Sequence, residues 1–497
     1  MEVELKLLLS PQYNEQLLQH PLLGDPAHTQ QLTARYFDTP DLHLLHHGAG
    51  LRVRKVDGVW IQTMKAGGSV QSGLHSRNEW EGQVDRAWPR LGKLRKLIGD
   101  DAHWLAILNT PKLKQRLEPL FVVDVQRHLW QIESGGNLIE VALDVGHIER
   151  HGHQVAVNEV ELELKEGDPA GLYAFALQLL DEIPLRISNI NKAQRGYMLV
   201  RETGHAPFRT QALQLDSDAS LSEALPAVLG NCLEHIQRNE VAVVEGHDTE
   251  TLHQMRVGVR RLRSALKLFE PVAPCPPALQ EDVSWLGEQL GAARDWDVLL
   301  SATLPRVHAA PGGNGMMELQ ALALEQAHAM RNQAAQAVLS PRYTRLMLAL
   351  GSWMLQTAPL LNGSAAQFSR EILQRLHKSL LKRADRMSED DTASAHRTRI
   401  AAKRGRYALE FFHALYRTKG TRAYLKTLSA VQEELGQHND LAVADRLLQE
   451  LVQRHPQAAG AIQFTRGYLL AQQATQPADL DVIRSRLHAL ALPRARN

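Results

Sequence analysis

Charged side chains recur at every second position through much of the first 200 residues. Glu2, Glu4 and Lys6 alternate with Val3, Leu5 and Leu7, and Arg52 and Arg54 flank Val53. Glu79 and Glu81, and Glu159, Glu161 and Glu163, keep the same spacing, and Glu140 and Asp144 stand at twice it, still on one face. On an extended strand this puts the charges on one face and the apolar residues on the other. A wet sheet face ordinarily mixes Thr, Ser, Gln and Lys, whereas here some strands carry acids and others Arg or Lys. If the sheet closes into a barrel, these faces share one lumen, and enclosed charge needs compensation. A phosphate chain loaded with divalent metal answers both signs at once. Carboxylates alone, as oxygen ligands, favour Mg²⁺ or Mn²⁺ over zinc.

A different pattern carries charge in the second half. His253, Arg256, Arg260, Arg263 and Lys267 step by three and four, one continuous face of a helix. His396, Arg399, Lys403 and Arg406 repeat it at an offset of 143 residues. Leu290-Gly291 and Asp295 recur as Leu435-Gly436 and Asp440 at an offset of 145, which one loop insertion explains. Like charges at these spacings repel by about 0.2–0.5 kcal/mol per pair. Two such stripes brought face to face need an anion between them, and a long one with regularly spaced charges suits the geometry.

The elements that must position these residues follow from periodicity. Period-2 runs at 3–7, 51–54, 59–65 and 159–165, punctuated by Gly, Asp and Pro clusters, predict about eight strands. Their short links predict antiparallel pairing. Residues 202–217 lose all periodicity. Beyond them lie 3.6-period segments rich in Ala, Leu, Gln and Arg, which predict eight or more helices, and the internal repeat predicts two similar bundles. The expected fold class is α+β and multidomain: an N-terminal eight-stranded antiparallel β-barrel with flanking helices, then an all-α domain of two duplicated bundles. The expected boundaries are 1–202, a linker at 203–217, and 218–490.

Composition limits the classes. The 497 residues suffice for two to four domains. The formal charge of +1 gives no reason to expect nucleic acid as a specific partner. The near balance hides a partition: residues 1–214 hold 23 basic and 26 acidic side chains, residues 215–497 hold 33 and 29, and 27 of those 33 are Arg. Arg grips phosphate with a planar fork that Lys cannot copy. Two cysteines, Cys232 and Cys275, make neither a disulfide framework nor a cysteine zinc site, and His46-His47 and His151-x-His153 lack zinc-like partners. The N-terminus has no basic region of a signal peptide, and no apolar run of about 18 residues predicts a membrane helix. A cytoplasmic protein without a membrane partner is the expectation.

Glu2-x-Glu4-x-Lys6 resembles the ExExK signature of the CYTH family, the triphosphate tunnel metalloenzymes. Further matches in family order are Tyr36-Phe37-Asp38-Thr39-Pro40-Asp41, Leu51-Arg52-Val53-Arg54, Lys65, Glu140-x-Ala142-x-Asp144-x-Gly146, Glu159-x-Glu161-x-Glu163-x-Lys165 and Lys192-Ala193-Gln194-Arg195-Gly196-Tyr197. The resemblance implies a closed tunnel that binds a triphosphate with metal. It implies that Arg52, Arg54, Lys65, Arg127 and Lys192 grip phosphate, with Lys6 doing likewise or orienting the acids. Arg77 is a further candidate. Glu2, Glu4, Asp144, Glu159, Glu161 and Glu163 are the implied metal ligands, Glu159 and Glu161 being favoured within the last three. Glu79, Glu81 and Glu140 are expected in the lumen. The stripe residues, with Leu290-Gly291-x-x-Arg294-Asp295-x-Asp297, resemble the CHAD domain, which implies a basic groove for inorganic polyphosphate made by His253, Arg256, Arg260, Arg263, His396, Arg399, Lys403 and Arg406. The second copy has Asn439 where the first has Arg294, and Arg342 and Arg345 are candidates to join the groove.

These readings predict a metal-dependent hydrolase that splits tripolyphosphate, tethered to a polyphosphate-binding module. A thiamine or other organic triphosphatase, with Trp60 or another tunnel-mouth aromatic able to stack on the organic group although core packing is the favoured place for it, and a noncatalytic polyphosphate scaffold stand as alternatives. No GxxxxGK[ST] loop and no His or Cys nucleophile is called for, so no covalent intermediate is expected.

Overall fold

A computed structural model describes residues 2–56, 58–201, 206–246, 248–308, 316–388, 391–475 and 479–496; the side chains of residues 71, 392, 437–439 and 473–475 lie outside the description. The chain divides into two compact units. One takes in residues up to His205 together with Thr344–Ser352, the other Ala206–Tyr343 and Trp353–Asn497. Of the expected linker, 203–205 lie outside the described residues. Residues 206–217 form neither helix nor strand, and Phe208 is held by paired backbone bonds to the Asn239 amide at 2.9 and 3.1 Å.

The first unit is a barrel of eight antiparallel strands. They are β1 (Glu2–Leu9), β2 (His28–Asp38), β3 (Ala49–Val56), β4 (Val59–Gln71), β5 (Leu74–Val84), β6 (Glu118–Ser134), β7 (Asn137–Arg150) and β8 (His153–Glu166). The ring runs β5-β4-β3-β2-β6-β7-β8-β1 and closes by β1 on β5. A ninth strand, β9 (Leu185–Ile187), takes the rest of that β1 edge: Glu2–Leu5 face β5 and Leu7–Leu9 face β9.

Alternation turns one set of side chains outward into apolar cores. Leu51, Val53 and Met64 pack with Leu94, Trp104 and Leu108 from the helices Leu91–Ile98 and Ala102–Leu108. Trp60 packs against this outer core, so it is not a tunnel-mouth aromatic. The helix Lys192–Arg201 lies against β6 and β7. It comes so close that a Cβ on Gly196 would stand 2.1 Å from the Phe121 ring. Gly146 is needed for the same reason, since a Cβ there would lie 2.1 Å from the Asp124 carbonyl oxygen.

The second unit is helical. Leu221–Gln237 packs on Thr249–Phe269, which packs on Pro277–Val298, which packs on Met316–Leu339. In the second half Ala365–Ala384 packs on Thr392–Phe411, which packs on Thr418–Arg454. The two stripe-bearing helices, Thr249–Phe269 and Thr392–Phe411, touch each other. The halves also share a core, in which Trp296, Leu299 and Leu319 meet Leu448, Leu451 and Ile462.

The Tyr36-Phe37-Asp38-Thr39-Pro40-Asp41 motif has a structural task. Asp38 is fully buried and accepts from the backbone N–H of Thr39 (2.7 Å), Leu44 (2.8 Å) and Leu45 (2.9 Å) and from the Tyr197 hydroxyl (3.2 Å). It thus ties the end of β2 to the helix Lys192–Arg201. Removing the carboxylate leaves several buried donors unpaired. Asp38→Ala is expected to destabilise the barrel by about 2–4 kcal/mol, read as a lower unfolding midpoint in urea, with Asp38→Asn recovering part of the loss.

Candidate active site and anion groove

The inward faces of the barrel strands line one cavity of about 760 Å³. Glu2, Glu4 and Lys6 reach it from β1, Arg52 and Arg54 from β3, Lys65 from β4, and Arg77, Glu79 and Glu81 from β5. Arg127 comes from β6, Glu140 and Asp144 from β7, Glu161, Glu163 and Lys165 from β8, and Lys192 from the helix Lys192–Arg201. Eight carboxylates therefore face eight Lys or Arg side chains. An apolar strip of Leu32, Ala34, Val123 and Val125 completes the wall beside Tyr36.

The most enclosed group is Asp144, Glu159 and Glu161, whose carboxylate oxygens lie within 4.8 Å of one another. Arg127 donates to Asp144 from Nε and Nη2, both at 2.6 Å, and to Glu161 at 2.8 Å. Lys192 Nζ reaches Asp144 at 2.7 Å and Glu161 at 2.9 Å and also pairs with Glu159. Lys6 pairs with Glu161 and, at 2.7 Å, with Glu4. Burial pushes Glu161 and Asp144 upward, but Lys192, Lys6 and Arg127 around Glu161, and Lys192 and Arg127 beside Asp144, hold both below the usual carboxylate range. Burial works against the Lys192 ammonium, yet Asp144 and Glu161 raise its pKa. Three clustered oxygen donors fit a hard divalent cation. Period 2 gives the face of β8 but not the depth: side-chain exposure runs from 0% at Glu159 through 13% at Glu161 to 28% at Glu163. Glu163 sits apart, bound to Lys165 at 2.7 Å, which also reaches Glu140 at 3.3 Å.

The opposite wall is the base row. Lys65 pairs with Glu2 at 2.5 Å and with Glu79 at 3.6 Å. Arg54 pairs with Glu81 at 3.1 Å, and Glu81 also accepts from the Thr63 hydroxyl. Arg52 meets Glu79 only at 3.9 Å, and the buried Nε atoms of Arg52 and Arg54 have no partner. The Arg52 guanidinium holds the pKa of Arg54 down, with burial adding to it, and burial lowers that of Arg77. Burial pushes Glu2 up to about 7 against the pull of Lys65, with Glu4 and Glu79 adding to the rise. Burial likewise acts on Glu4, but Lys6 and Lys65 bring it below the ordinary value. The sequence reading passed over Arg195, whose guanidinium pairs with the buried Glu159. It stands three residues after Lys192 on the same helix, a spacing that a search for strand alternation does not register.

The helical unit brings both stripes to a cavity of about 470 Å³, lined among others by Arg260, Arg263, His396, Arg399 and Lys403. The Nε atoms of Arg260 and Arg399 are buried without a partner. Burial and the guanidinium groups of Arg260, Arg399, Arg256 and Arg406 push Lys403 down to about 7. His253 is lowered to about 4 by burial and by Arg294 and Arg260. Three stripe residues do not line this cavity. Arg256 stands one turn from Arg260 and meets Asp295 at 3.4 Å, His253 stands at the stripe's start, and Arg406 turns to Glu410 at 2.6 Å and over the Tyr407 ring. Arg342 is bound to Asp282 and stacks on Trp285, and Arg345 is bound to Asp181, so neither lines the groove. The Asn439 side chain lies outside the described residues.

Comparison with known proteins places these features. Residues 1–197 match the CYTH domain model and residues 227–449 the CHAD domain model. Over 201 residues, 40% of this chain, the sequence is 34% identical to an inorganic triphosphatase of Haemophilus influenzae, and the match spans 54% of that protein, about half its length. The crystal structure of the CHAD domain from the plant Ricinus communis is similar at 75% identity and a TM-score of 0.57, covering 59% of this chain and all of that one. No helix among the described residues is long and apolar enough to cross a membrane. The chain belongs to the CHAD family through its helical half, which follows a CYTH domain at residues 1–197.

Proposed function

We propose that the barrel hydrolyses inorganic tripolyphosphate to pyrophosphate and phosphate with Mg²⁺ or Mn²⁺, and that the helical unit binds inorganic polyphosphate. One observation carries the first part: eight acids and eight bases around a single cavity. A bare triphosphate would load this wall with unopposed negative charge, whereas a triphosphate carrying divalent cations adds little. A wall meant for phosphate alone would favour fewer carboxylates. The similarity to a protein named as an inorganic triphosphatase supports the same substrate.

In this reading Arg52, Arg54, Lys65 and Arg77 take the phosphate oxygens. Arg127 and Lys192 divide between phosphate and the acids they now hold, and Lys6 orients Glu4 and Glu161. Asp144, Glu159 and Glu161 would hold one cation, with Glu2 and Glu4 beside them for a second. A cation so held supplies neutralisation of phosphate oxygens and a bound water of lowered pKa. In the hydrolysis a water oxygen would bond to the terminal phosphorus as that phosphorus leaves its bridging oxygen, the water giving up a proton to solvent, and pyrophosphate would depart. The base row carries the charge on the oxygens throughout. The apolar strip beside Tyr36 favours a second reading, an organic triphosphate such as thiamine triphosphate.

Phosphate release by the full chain from tripolyphosphate, thiamine triphosphate, ATP and long polyphosphate, each with Mg²⁺ or Mn²⁺, tests the reading. Tripolyphosphate is expected to be turned over fastest; release from none of the four leaves only a binding role. Glu4→Gln is expected to lower kcat on tripolyphosphate by about 100-fold or more and to leave polyphosphate affinity unchanged by calorimetry. Arg256→Ala with Arg399→Ala is expected to do the reverse, weakening polyphosphate about tenfold or more with turnover kept. Equal loss of both activities in either variant contradicts the division of labour.

The free groove loses the Lys403 proton above about pH 7, while a bound polyanion holds that proton on. Binding therefore takes up a proton and weakens as pH rises, by at most about tenfold per pH unit from this residue. Affinity titrations across neutral pH are expected to show this slope in the unaltered chain and a flatter one in Lys403→Arg.

A further inference from the structure

Gly291 and Gly436 sit in helix interiors, where alanine is the better helix former. Gly291 lies within Pro277–Val298 and Gly436 within Thr418–Arg454. Neither has a positive φ, so the backbone does not demand glycine at either place. The space beside them is taken by the stripe. A Cβ on Gly291 would stand 2.8 Å from Arg256 Nη1 and 3.6 Å from its Cζ, with no other neighbouring residue within 4 Å. For a Cβ on Gly436 the three nearest atoms would all belong to Arg399, Nε at 3.4 Å, Nη2 at 3.7 Å and Cζ at 3.9 Å.

The coincidence is double. Arg256 and Arg399 are counterparts in the repeat, and so are Gly291 and Gly436. Helix-on-helix packing does not account for Gly291, whose neighbouring atoms within 4 Å both belong to Arg256, and the three atoms nearest a Cβ on Gly436 all belong to Arg399. Asp295, one turn beyond Gly291, meets Arg256 at 3.4 Å, a second restraint on the same guanidinium. Arg399 keeps its buried Nε without a partner and lines the groove.

We infer that Gly291 and Gly436 are positioning residues for anion capture: each missing Cβ is the seat on which a stripe arginine rests, Arg399 in the groove lining and Arg256 one turn from Arg260 beside it, and this fixes where its charge is presented. The inference rests on the polyphosphate reading of the groove. A methyl group at position 291 displaces the far end of a flexible side chain rather than backbone. The helix keeps or gains stability while the arginine moves, and the contact at Gly436 is looser, so its effect is smaller.

The test uses the full chain with Gly291→Ala, Gly436→Ala and, as control, Gly467→Ala in the helix Ala459–Thr475, where a Cβ would meet nothing within 4 Å. Affinity for long-chain inorganic polyphosphate is measured over a range of salt concentrations, together with Tm. All three variants are expected to keep or raise Tm. Gly291→Ala is expected to weaken binding about tenfold and to make the log–log salt slope shallower by about one. Gly436→Ala is expected to weaken it about two- to threefold, and Gly467→Ala not at all. The inference is overturned if Gly291→Ala binds with unaltered affinity and salt slope while Arg256→Ala with Arg399→Ala loses binding. A fall in Tm together with weaker binding in Gly291→Ala also overturns it, making the glycine a packing residue. If the double arginine variant binds as the unaltered chain does, the polyphosphate reading itself fails.

Discussion

Charge taken out of water must be compensated, and the barrel is built around that constraint. Asp144 and Glu159 have no solvent exposure, and a lone ionised carboxylate in such a place would protonate rather than stay charged. Arg127, Lys192 and Arg195 are brought to them from β6 and from the helix Lys192–Arg201, and Lys192 and Arg127 hold the Asp144 carboxyl below the usual range. Closure of β1 on β5 completes the arrangement by facing Glu2 and Lys65 towards each other. Ion pairs of this kind contribute little net stability once desolvation is counted. Their persistence in one lumen is better explained by what they exchange for a ligand.

The helical unit meets the same constraint differently. Its groove gathers Arg260, Arg263, Arg399 and Lys403, with Glu270 the one carboxylate in the lining among the described residues. The excess charge is left uncompensated, and the depressed pKa of Lys403 and the partnerless Nε atoms of Arg260 and Arg399 are its local consequences. A neutral lumen suits a short anion that carries its own cations, while a basic groove suits a long bare one. Under the proposed function, the two halves would divide phosphate chains by how their charge is balanced.

Much of this was legible in the sequence, because period 2 and period 3.6 report which residues share a face. Alternation sufficed for the strands and for the shared face of Glu2, Glu4, Arg52 and Arg54. It missed β9, whose three residues are too few to show a period. It could not rank Glu159 above Glu163 in depth, since depth depends on where the helix Lys192–Arg201 crosses. The stripe counts only the basic positions of its helix, so it leaves out Glu410, four residues on, towards which Arg406 turns. The shared core of Trp296 and Leu448 was equally hidden, because a duplication predicts two similar halves and not the side chains they exchange. Trp60 packs against the outer core from β4, the place favoured for it over stacking on an organic group.

The most direct test of the central claim is a crystal structure of the full chain with tripolyphosphate and Mn²⁺, the ion located by its anomalous signal. The account predicts manganese on the oxygens of Asp144, Glu159 and Glu161 and phosphates against Arg52, Lys65 and Arg77. Manganese bound elsewhere, or a lumen that takes up neither ion nor phosphate, would contradict it.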